Sequence, residues 1–242
     1  MVSTRYDHQI ESLRQDLLRL GGMVEQALSR TIKSLATQNG LTASWIIQDD
    51  VQINYARHVL EEETLSLLAT QQPVAGDLRF LNTAEAIAAE LEHIGDYACA
   101  IALRVERMAL RSSLVTPSPE LFEMAALARQ MLHTSLEAFL NRDGECTLSL
   151  EQNDQRMDEY ESHLRAELIE LARKNPQHVE AIVDLLDIIH ALERVADRAT
   201  TIGERVTYLV NGSIKPIGMT AYNTPGTGER PEELNRTIPC AV

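Results

Sequence analysis

The sequence contains one helical pattern twice, and this repeat limits the folds that the chain can adopt. The segment LEHIGDYACAIA (91–102) aligns with LERVADRATTIG (192–203), an offset of 101 with five identities in twelve positions. The pattern Leu-x-x-Leu-Ala-x-x-x-Pro occurs at residues 65–73 and again at 168–176, an offset of 103. Because the spacing between helices agrees as well as the residues, we interpret the chain as two copies of one structural unit.

Apolar residues recur three, four and seven positions apart, which is the spacing of helices with one buried stripe. Aromatic residues make up only 4% of the chain, which further favours helix over sheet. The pattern and its Pro and Gly breaks predict helices at about residues 4–38, 42–71, 75–110, 119–141, 147–174 and 177–211.

Several single residues are expected to mark the helix ends. Asn39-Gly40 is expected to cap the end of the first helix, and Thr42 to cap the start of the second. Ser118 before Pro119 predicts the start of the fourth helix. Trp45, near the start of the second helix, is expected to lie in the core.

We therefore predict an all-α fold of six helices, arranged as two tandem three-helix bundles. The first repeat is expected at residues 1–112 and the second at 113–212. Residues 213–242 contain four prolines and three glycines, and their three basic and three acidic residues cancel; this change of composition predicts a disordered C-terminal tail.

The net charge and the cysteines limit the partners and the cellular compartment that we expect for the chain. A net charge of -14 repels the phosphates of nucleic acids and anionic lipid headgroups, so we expect no nucleic-acid partner and membrane association only through a protein. The same charge attracts cations. Three cysteines without a CxxC pair, and no signal-peptide-like or 18-residue apolar run, indicate a cytoplasmic protein.

Two pairs of acids suggest metal binding. Glu92 and Asp96 lie four residues apart on one predicted helix, and Glu193 and Asp197 repeat this arrangement. Side chains at this spacing share a helix face, where two like charges repel. A hard cation such as Mg²⁺, Ca²⁺, Mn²⁺ or iron, all of which take oxygen ligands, would offset the repulsion.

The same acids are also compatible with an ordinary charged surface. Basic side chains close in sequence could neutralise the second pair without a metal: Arg194, Arg198 and Arg205. The spacing alone leaves both interpretations open.

These segments resemble a known family. The Glu-x-x-x-Asp pattern within LEHIGDYA and LERVADRATTIGE is similar to the signature of the PhoU family, the regulators of phosphate-specific transport, and QQPVAGDLRFL (71–81) resembles its first repeat. The likeness covers about residues 5–212. It implies six helices in two three-helix bundles and a regulator rather than an enzyme.

The resemblance also implies a site and partners. The metal residues would be Glu92, Asp96, Glu193, Asp197 and Glu204, holding a divalent or trivalent ion such as Mg, Mn or Fe. The protein would form a homodimer. It would act between the ATPase subunit of a phosphate ABC transporter and a phosphate-sensing histidine kinase, as a negative regulator of phosphate-starvation signalling.

The chain departs from the family pattern at three positions. Leu103 stands at the repeat counterpart of Glu204, Ala196 replaces the glycine found at Gly95, and Arg198 could itself occupy the second site. Unequal loading of the two sites is therefore expected.

Two other functions remain open from the sequence. A ferritin-like di-iron carboxylate enzyme would use Glu-x-x-His motifs, which Glu90-x-x-His93 matches and Asp187-x-x-His190 nearly matches. A metal-free helical adaptor would use the acidic faces to bind basic partner loops. The sequence contains neither the nucleotide-binding motif GxxxxGK[ST] nor the catalytic motifs HExxH and GxSxG. No catalytic residue is predicted.

Overall fold

The computed structural model of the chain describes residues 2–111 and 115–212, and all regular structure in these ranges is helical. The six helices are α1 (Val2–Thr37), α2 (Gly40–Gln71), α3 (Ala75–Ala109), α4 (Pro119–Asn141), α5 (Thr147–Lys174) and α6 (Val179–Asn211). The all-α prediction and the six helices are confirmed. The predicted tail, 213–242, and the predicted repeat boundary at 112/113 lie outside the described residues.

Some helix ends lie where the sequence predicts them, and the connection between α1 and α2 differs from the prediction. α4 begins at Pro119 after Ser118, and Gly212 closes α6 with a φ of 72°, a left-handed conformation that suits glycine. The prediction for Thr42 was wrong. Asn39 is the N-cap of α2, and its side chain accepts a hydrogen bond from the Thr42 backbone amide at 3.1 Å. A tight turn with Gln38 at φ 49° joins α1 to α2.

The helices form two layers. α2, α3, α6 and α5 lie side by side in that order, because α3 contacts both α2 and α6, and α6 contacts both α3 and α5. α1 packs against α2 and α3, α4 packs against α5 and α6, and α1 touches α4. Each repeat is therefore a three-helix bundle, and the central α3–α6 interface is the most extensive in the described part of the chain.

Ion pairs connect α3 and α6 and show their antiparallel register. Arg104 Nε lies 3.0 Å from Asp187 Oδ2, and Arg198 Nη1 lies 3.2 Å from Glu90 Oε2. In this register Asp96 lies level with residues 192–195 of α6, near Glu193 and Asp197. The two predicted acidic pairs are thus at the same height of the bundle, and each belongs to its own repeat.

Burial reveals how the repeats align. In α3 and α6 the offset of 101 holds, since Leu91 and Leu192 are both fully buried. In α2 and α5 the buried positions match at an offset of 104, as in Ile46 with Leu150. The offset of 103 found at the helix ends does not extend into these helices, because Leu65 is 58% exposed whereas Leu168 is 9% exposed.

The prediction that Trp45 lies in the core was wrong. Its side chain is 60% exposed on the outer face of α2. α2 buries the opposite side, including Ala43 and Ile46, against α1 and α3.

Candidate metal centre

The first candidate site lies between α2 and α3 and is called the first acidic groove: Asp50, Asn54, Arg57, Glu61, Glu92 and Asp96. Asn54 Nδ2 donates a hydrogen bond to Asp50 Oδ2 at 3.1 Å. Arg57 Nε lies 3.3 Å from Glu92 Oε2, and Arg57 Nη1 lies 2.6 Å from Glu61 Oε2. One arginine of α2 thus already neutralises part of this groove.

Gly95 allows the two helices of this groove to approach. A Cβ at this position would lie 3.1 Å from Ile53 Cγ2 and 3.5 Å from Asp50 Oδ1. Burial raises the pKa of Asp50, and the charge of Asp96 adds to the effect, opposed by the hydrogen bond from Asn54. Burial and the charge of Glu92 likewise raise the pKa of Asp96.

The second candidate site lies between α5 and α6 and is called the second acidic groove: Asp154, Asp158, Glu161, Glu193 and Asp197. Burial raises the pKa of Glu193 to about 7; the neighbouring Asp197 adds to the shift and Arg194 opposes it. Burial also raises the pKa of Asp154 to about 6, with further contributions from the charges of Asp197 and Asp158. Burial is the main cause of both raised pKa values, and repulsion between neighbouring carboxylates adds to it.

Arg194 is the basic residue nearest to the predicted acids of α6. Its Nε lies 3.1 Å from Glu193 Oε2 and its Nη1 lies 2.8 Å from Asp197 Oδ2. The expectation that Arg198 could occupy this site was wrong, because Arg198 points to Glu90 of α3. Arg194 and Asp197 are each about one-third exposed, so this ion pair is open to water.

The two grooves differ in charge at equivalent positions. At the α2–α5 offset of 104, Arg57 of the first groove corresponds to Glu161 of the second, and Asn54 corresponds to Asp158. At these two positions the first groove has an amide and a guanidinium where the second has two carboxylates. Each groove also contains an arginine that pairs with its predicted acids, Arg57 in the first and Arg194 in the second.

The oxygen atoms that both grooves offer as ligands suit a hard cation. All the acidic side chains offer oxygen, and the buried Asp50 Oδ1, Asn54 Oδ1 and Glu193 Oε2 have no aligned hydrogen-bond partner. The side-chain positions, however, do not converge on one point. Within residues 2–111 and 115–212, no three His, Cys, Asp or Glu side chains form a group that could hold a metal ion as they stand.

The predicted site residues are thus placed in two groups. Glu92 and Asp96 face α2, whereas Glu193 and Asp197 face α5. Glu204 lies two helical turns beyond Asp197 on α6, where it is partly buried. Leu103, its repeat counterpart, is 38% exposed and offers no ligand to the first groove.

Sequence reasoning missed the acids of α2 and α5. Asp50 and Asp154 are equivalent at an offset of 104 and complete the two grooves. Cys99 was also missed; burial raises its thiol pKa, and the nearby charges of Asp50 and Asp96 add to the shift. The burial pattern of α2 and α5 was the signal that identifies the two aspartates.

The di-iron alternative requires Glu-x-x-His motifs that project into a bundle core. His93 and His190 are instead more than half exposed on the outer face of the four-helix layer. Glu90 is used by Arg198 of α6, and Asp187 is used by Arg104 of α3. These positions do not match the arrangement of such an enzyme.

The fold consists of two pseudo-symmetric three-helix bundles, and each bundle carries an acidic groove. These features place the chain among helical proteins built from one duplicated domain. The family model described as the PhoU domain matches residues 17–105 and 121–206. The chain belongs to the PhoU family.

Relatives and a solved structure agree with this assignment. The chain is 30% identical to the phosphate-specific transport system accessory protein PhoU homolog of Pseudomonas aeruginosa, covering 90% of this chain and 91% of that protein. It is 31% identical to PhoU of Escherichia coli K12, covering 87% of each. The crystal structure of the phosphate transport system regulatory protein PhoU from Streptococcus pneumoniae superposes with a TM-score of 0.81 at 30% identity, covering 87% of this chain and 99% of that one.

In the part of the chain that the structure describes, no helix has both the length and the apolar character that crossing a membrane requires.

Proposed function

We propose that the chain is a metal-binding negative regulator of phosphate uptake and phosphate-starvation signalling. The observation that supports this function is membership of the PhoU family over both repeats, whose relatives are named as accessory proteins of phosphate-specific transport. The partners would be the ATPase subunit of a phosphate ABC transporter and a phosphate-sensing histidine kinase. The protein would meet both in the cytoplasm.

A regulator without chemistry of its own acts by binding one state of its partner more tightly than the other. The chain suits this role because it presents long helices with a strongly acidic surface, at a net charge of -14. Basic surfaces of a partner would be attracted to the four-helix layer, where both acidic grooves lie at one height.

A bound cation would tune this attraction. Mg²⁺, Mn²⁺ or iron in the grooves would neutralise acids that otherwise repel one another, after rotations of their side chains on fixed helices. Asp154, Asp158, Glu161, Glu193 and Asp197 would hold the ion in the second groove, and Asp50, Glu92 and Asp96 would hold it in the first.

Deleting the gene is expected to switch on a phosphate-starvation reporter in phosphate-replete medium, to the level of starved cells. Reintroducing the wild-type gene is expected to restore repression. Reporter activity that stays low in the deletion strain would contradict the regulator function. A Glu193→Gln, Asp197→Asn variant that represses as well as wild type would favour the metal-free adaptor.

The second groove is expected to bind the cation more tightly than the first, because α5 offers it the carboxylates of Asp158 and Glu161 where α2 offers the first groove Asn54 and Arg57. In calorimetric titration with Mn²⁺ at pH 8, Glu193→Gln should weaken the tighter binding step by at least about tenfold, since even the loss of a residue that only supports a ligand typically costs about 10- to 100-fold in metal affinity. The matched variant Glu92→Gln should leave the tighter step unchanged. Equal losses in the two variants would refute the difference between the grooves.

A further inference from the structure

His190 lies at the mouth of the second acidic groove and contacts acids of both helices that form it. On α6 it precedes Glu193 by three residues and Asp197 by seven, so the three side chains share one face of the helix. Its Nδ1 lies 3.5 Å from Glu193 Oε2 and 4.0 Å from Oε1 of Glu161, on α5. The imidazole is 56% exposed, so this contact is open to ions from the solvent.

The distances around His190 differ from those of a hydrogen bond. An imidazolium that donates to a carboxylate lies about 2.7–2.9 Å from it, and His133 lies 2.8 Å from Glu25 in this way. His58 lies 3.6 and 3.4 Å from two acids of α2, but through a different ring nitrogen for each. In His190 one nitrogen lies near the carboxylates of two helices.

The spacing of these groups resembles that of ligands around one metal ion. Ligand atoms about 2.1 Å from the same ion are about 3.0 Å apart at right angles and about 3.4 Å apart in a tetrahedron. The 3.5 Å between His190 Nδ1 and Glu193 Oε2 is close to the second value. Glu161 Oε1 has to move closer by a side-chain rotation, and it now accepts a hydrogen bond from Arg165 at 2.6 Å. A cation would replace Arg165 as the partner of that oxygen.

Glu193 has an oxygen atom to offer to such an ion. Its Oε2 is buried and has no aligned hydrogen-bond partner, although Arg194 Nε lies 3.1 Å away. The Glu193 side chain is only 13% exposed, so few water molecules can reach it. A buried acceptor without an aligned donor is a position where a bound cation supplies the missing partner.

The repeat provides an internal comparison for this site. At the α3–α6 offset of 101, His190 corresponds to Ala89, and at the α2–α5 offset of 104, Glu161 corresponds to Arg57. The first acidic groove therefore has neither the imidazole nor the carboxylate at these two positions.

The histidine nearest to the acids of the first groove is arranged differently. The charge of His93 acts on Asp96, but the His93 Nδ1 lies 3.7 Å from Glu90, which belongs to the same helix and pairs with Arg198 of α6. His93 and His190 are similarly exposed, at 51% and 56%. His93 is therefore a matched control for His190.

We propose that His190 is a nitrogen ligand of the second acidic groove, which binds Zn²⁺ or Fe²⁺ in preference to Mg²⁺. Glu193 and Glu161 are its fellow ligands, and Asp197 lies one helical turn beyond Glu193. Imidazole suits zinc and iron, whereas carboxylates alone suit Mg²⁺, Ca²⁺ and Mn²⁺. This assignment rests on the metal binding in the proposed function and adds which class of ion the second groove selects.

The first test is calorimetric titration of the full chain with Zn²⁺ and, separately, with Mg²⁺ at pH 7.5. His190→Ala should weaken the tighter Zn²⁺ step by at least about tenfold and leave the Mg²⁺ affinity unchanged. Glu193→Gln should weaken the binding of both ions. His93→Ala should leave the tighter Zn²⁺ step as in wild type. Far-UV circular dichroism checks that each variant keeps its helices.

The second test observes the imidazole directly. In long-range ¹H–¹⁵N spectra of the labelled chain, one equivalent of Zn²⁺ should shift the ring signals of His190 before those of the other histidines. The signals are assigned by their absence from His190→Ala. One equivalent of Mg²⁺ should leave them in place.

Two results would overturn the role of His190: equal Zn²⁺ affinity in wild type and His190→Ala, or His190 ring signals that do not move with Zn²⁺. If wild type still binds Mg²⁺ in either case, the metal site of the proposed function stands without the imidazole. Wild type that binds neither ion would refute that metal site together with the role of His190.

Discussion

Phe139→Ala is expected to lower the free energy of unfolding by about 3–5 kcal/mol, the usual cost of removing a buried aromatic ring. The ring of Phe139, on α4, is fully buried and stacks on Phe80 of α3 with centroids 6.4 Å apart and planes at 20°. The guanidinium of Arg14, on α1, lies 4.9 Å from the centroid of Phe80 and 5.8 Å from that of Phe139.

The position of this cluster explains the size of the effect. Phe80 and Arg14 belong to the first repeat and Phe139 to the second, so the ring joins the two bundles. The Arg14 side chain is only 13% exposed, so its charge is partly removed from water, and this burial lowers the pKa of Arg14. Removing the ring would leave a cavity and also take from Arg14 a favourable aromatic contact.

Urea denaturation followed by far-UV circular dichroism measures this loss. Phe122→Ala on the same helix is the control, because Phe122 is only partly buried and its removal opens a smaller cavity. The control should lose clearly less stability. Equal losses in the two variants would show that the stacked cluster does not hold the repeats together.

The fold was predictable because the strongest signals in the sequence are local. Gly and Pro breaks bounded the helices, and the offset of 101 aligned α3 with α6 where both are fully buried, as at Ala98 and Ala199. A helix that buries one stripe shows that stripe in its spacing.

The sequence predicted the site acids of α3 and α6 but not those of α2 and α5. The repeat alignment of α2 with α5 cannot be read correctly from the helix ends. The ends of α2 and α5 match at 103, whereas their buried residues match at 104, so comparing the ends misaligns Asp50 and Asp154 by one residue. The acids of α3 and α6 lie in a segment without such a shift. Burial was needed to pair the two aspartates.

Trp45 shows a different limit. α2 is apolar on its buried face and on its outer face, so the pattern of apolar residues does not say which face is inside. A tryptophan is expected in the core on average, and only the packing of α1 and α3 against the other side of α2 places it outside.

Asp184→Ala is expected to lower the free energy of unfolding by about 2–3 kcal/mol, as for loss of hydrogen bonds to a charged group. Asp184, on α6, is almost fully buried and bonds to Arg111 beyond the end of α3, with Arg107 Nη1 at 3.8 Å. A fully buried pair would cost more. The cost is smaller here because Arg111 remains 25% exposed and keeps water after its partner is lost.

Asp187→Ala is the matched control, since Asp187 also pairs with an arginine of α3, at 3.0 Å, but is 46% exposed. It should lose no more than about 1 kcal/mol, and added salt should remove most of that loss. The loss in Asp184→Ala should persist in salt, because its carboxylate is shielded from ions by the α3–α6 interface. Equal, salt-sensitive losses in both variants would mean that burial does not strengthen the ion pairs between the repeats, and that apolar packing alone fixes the register of α3 and α6.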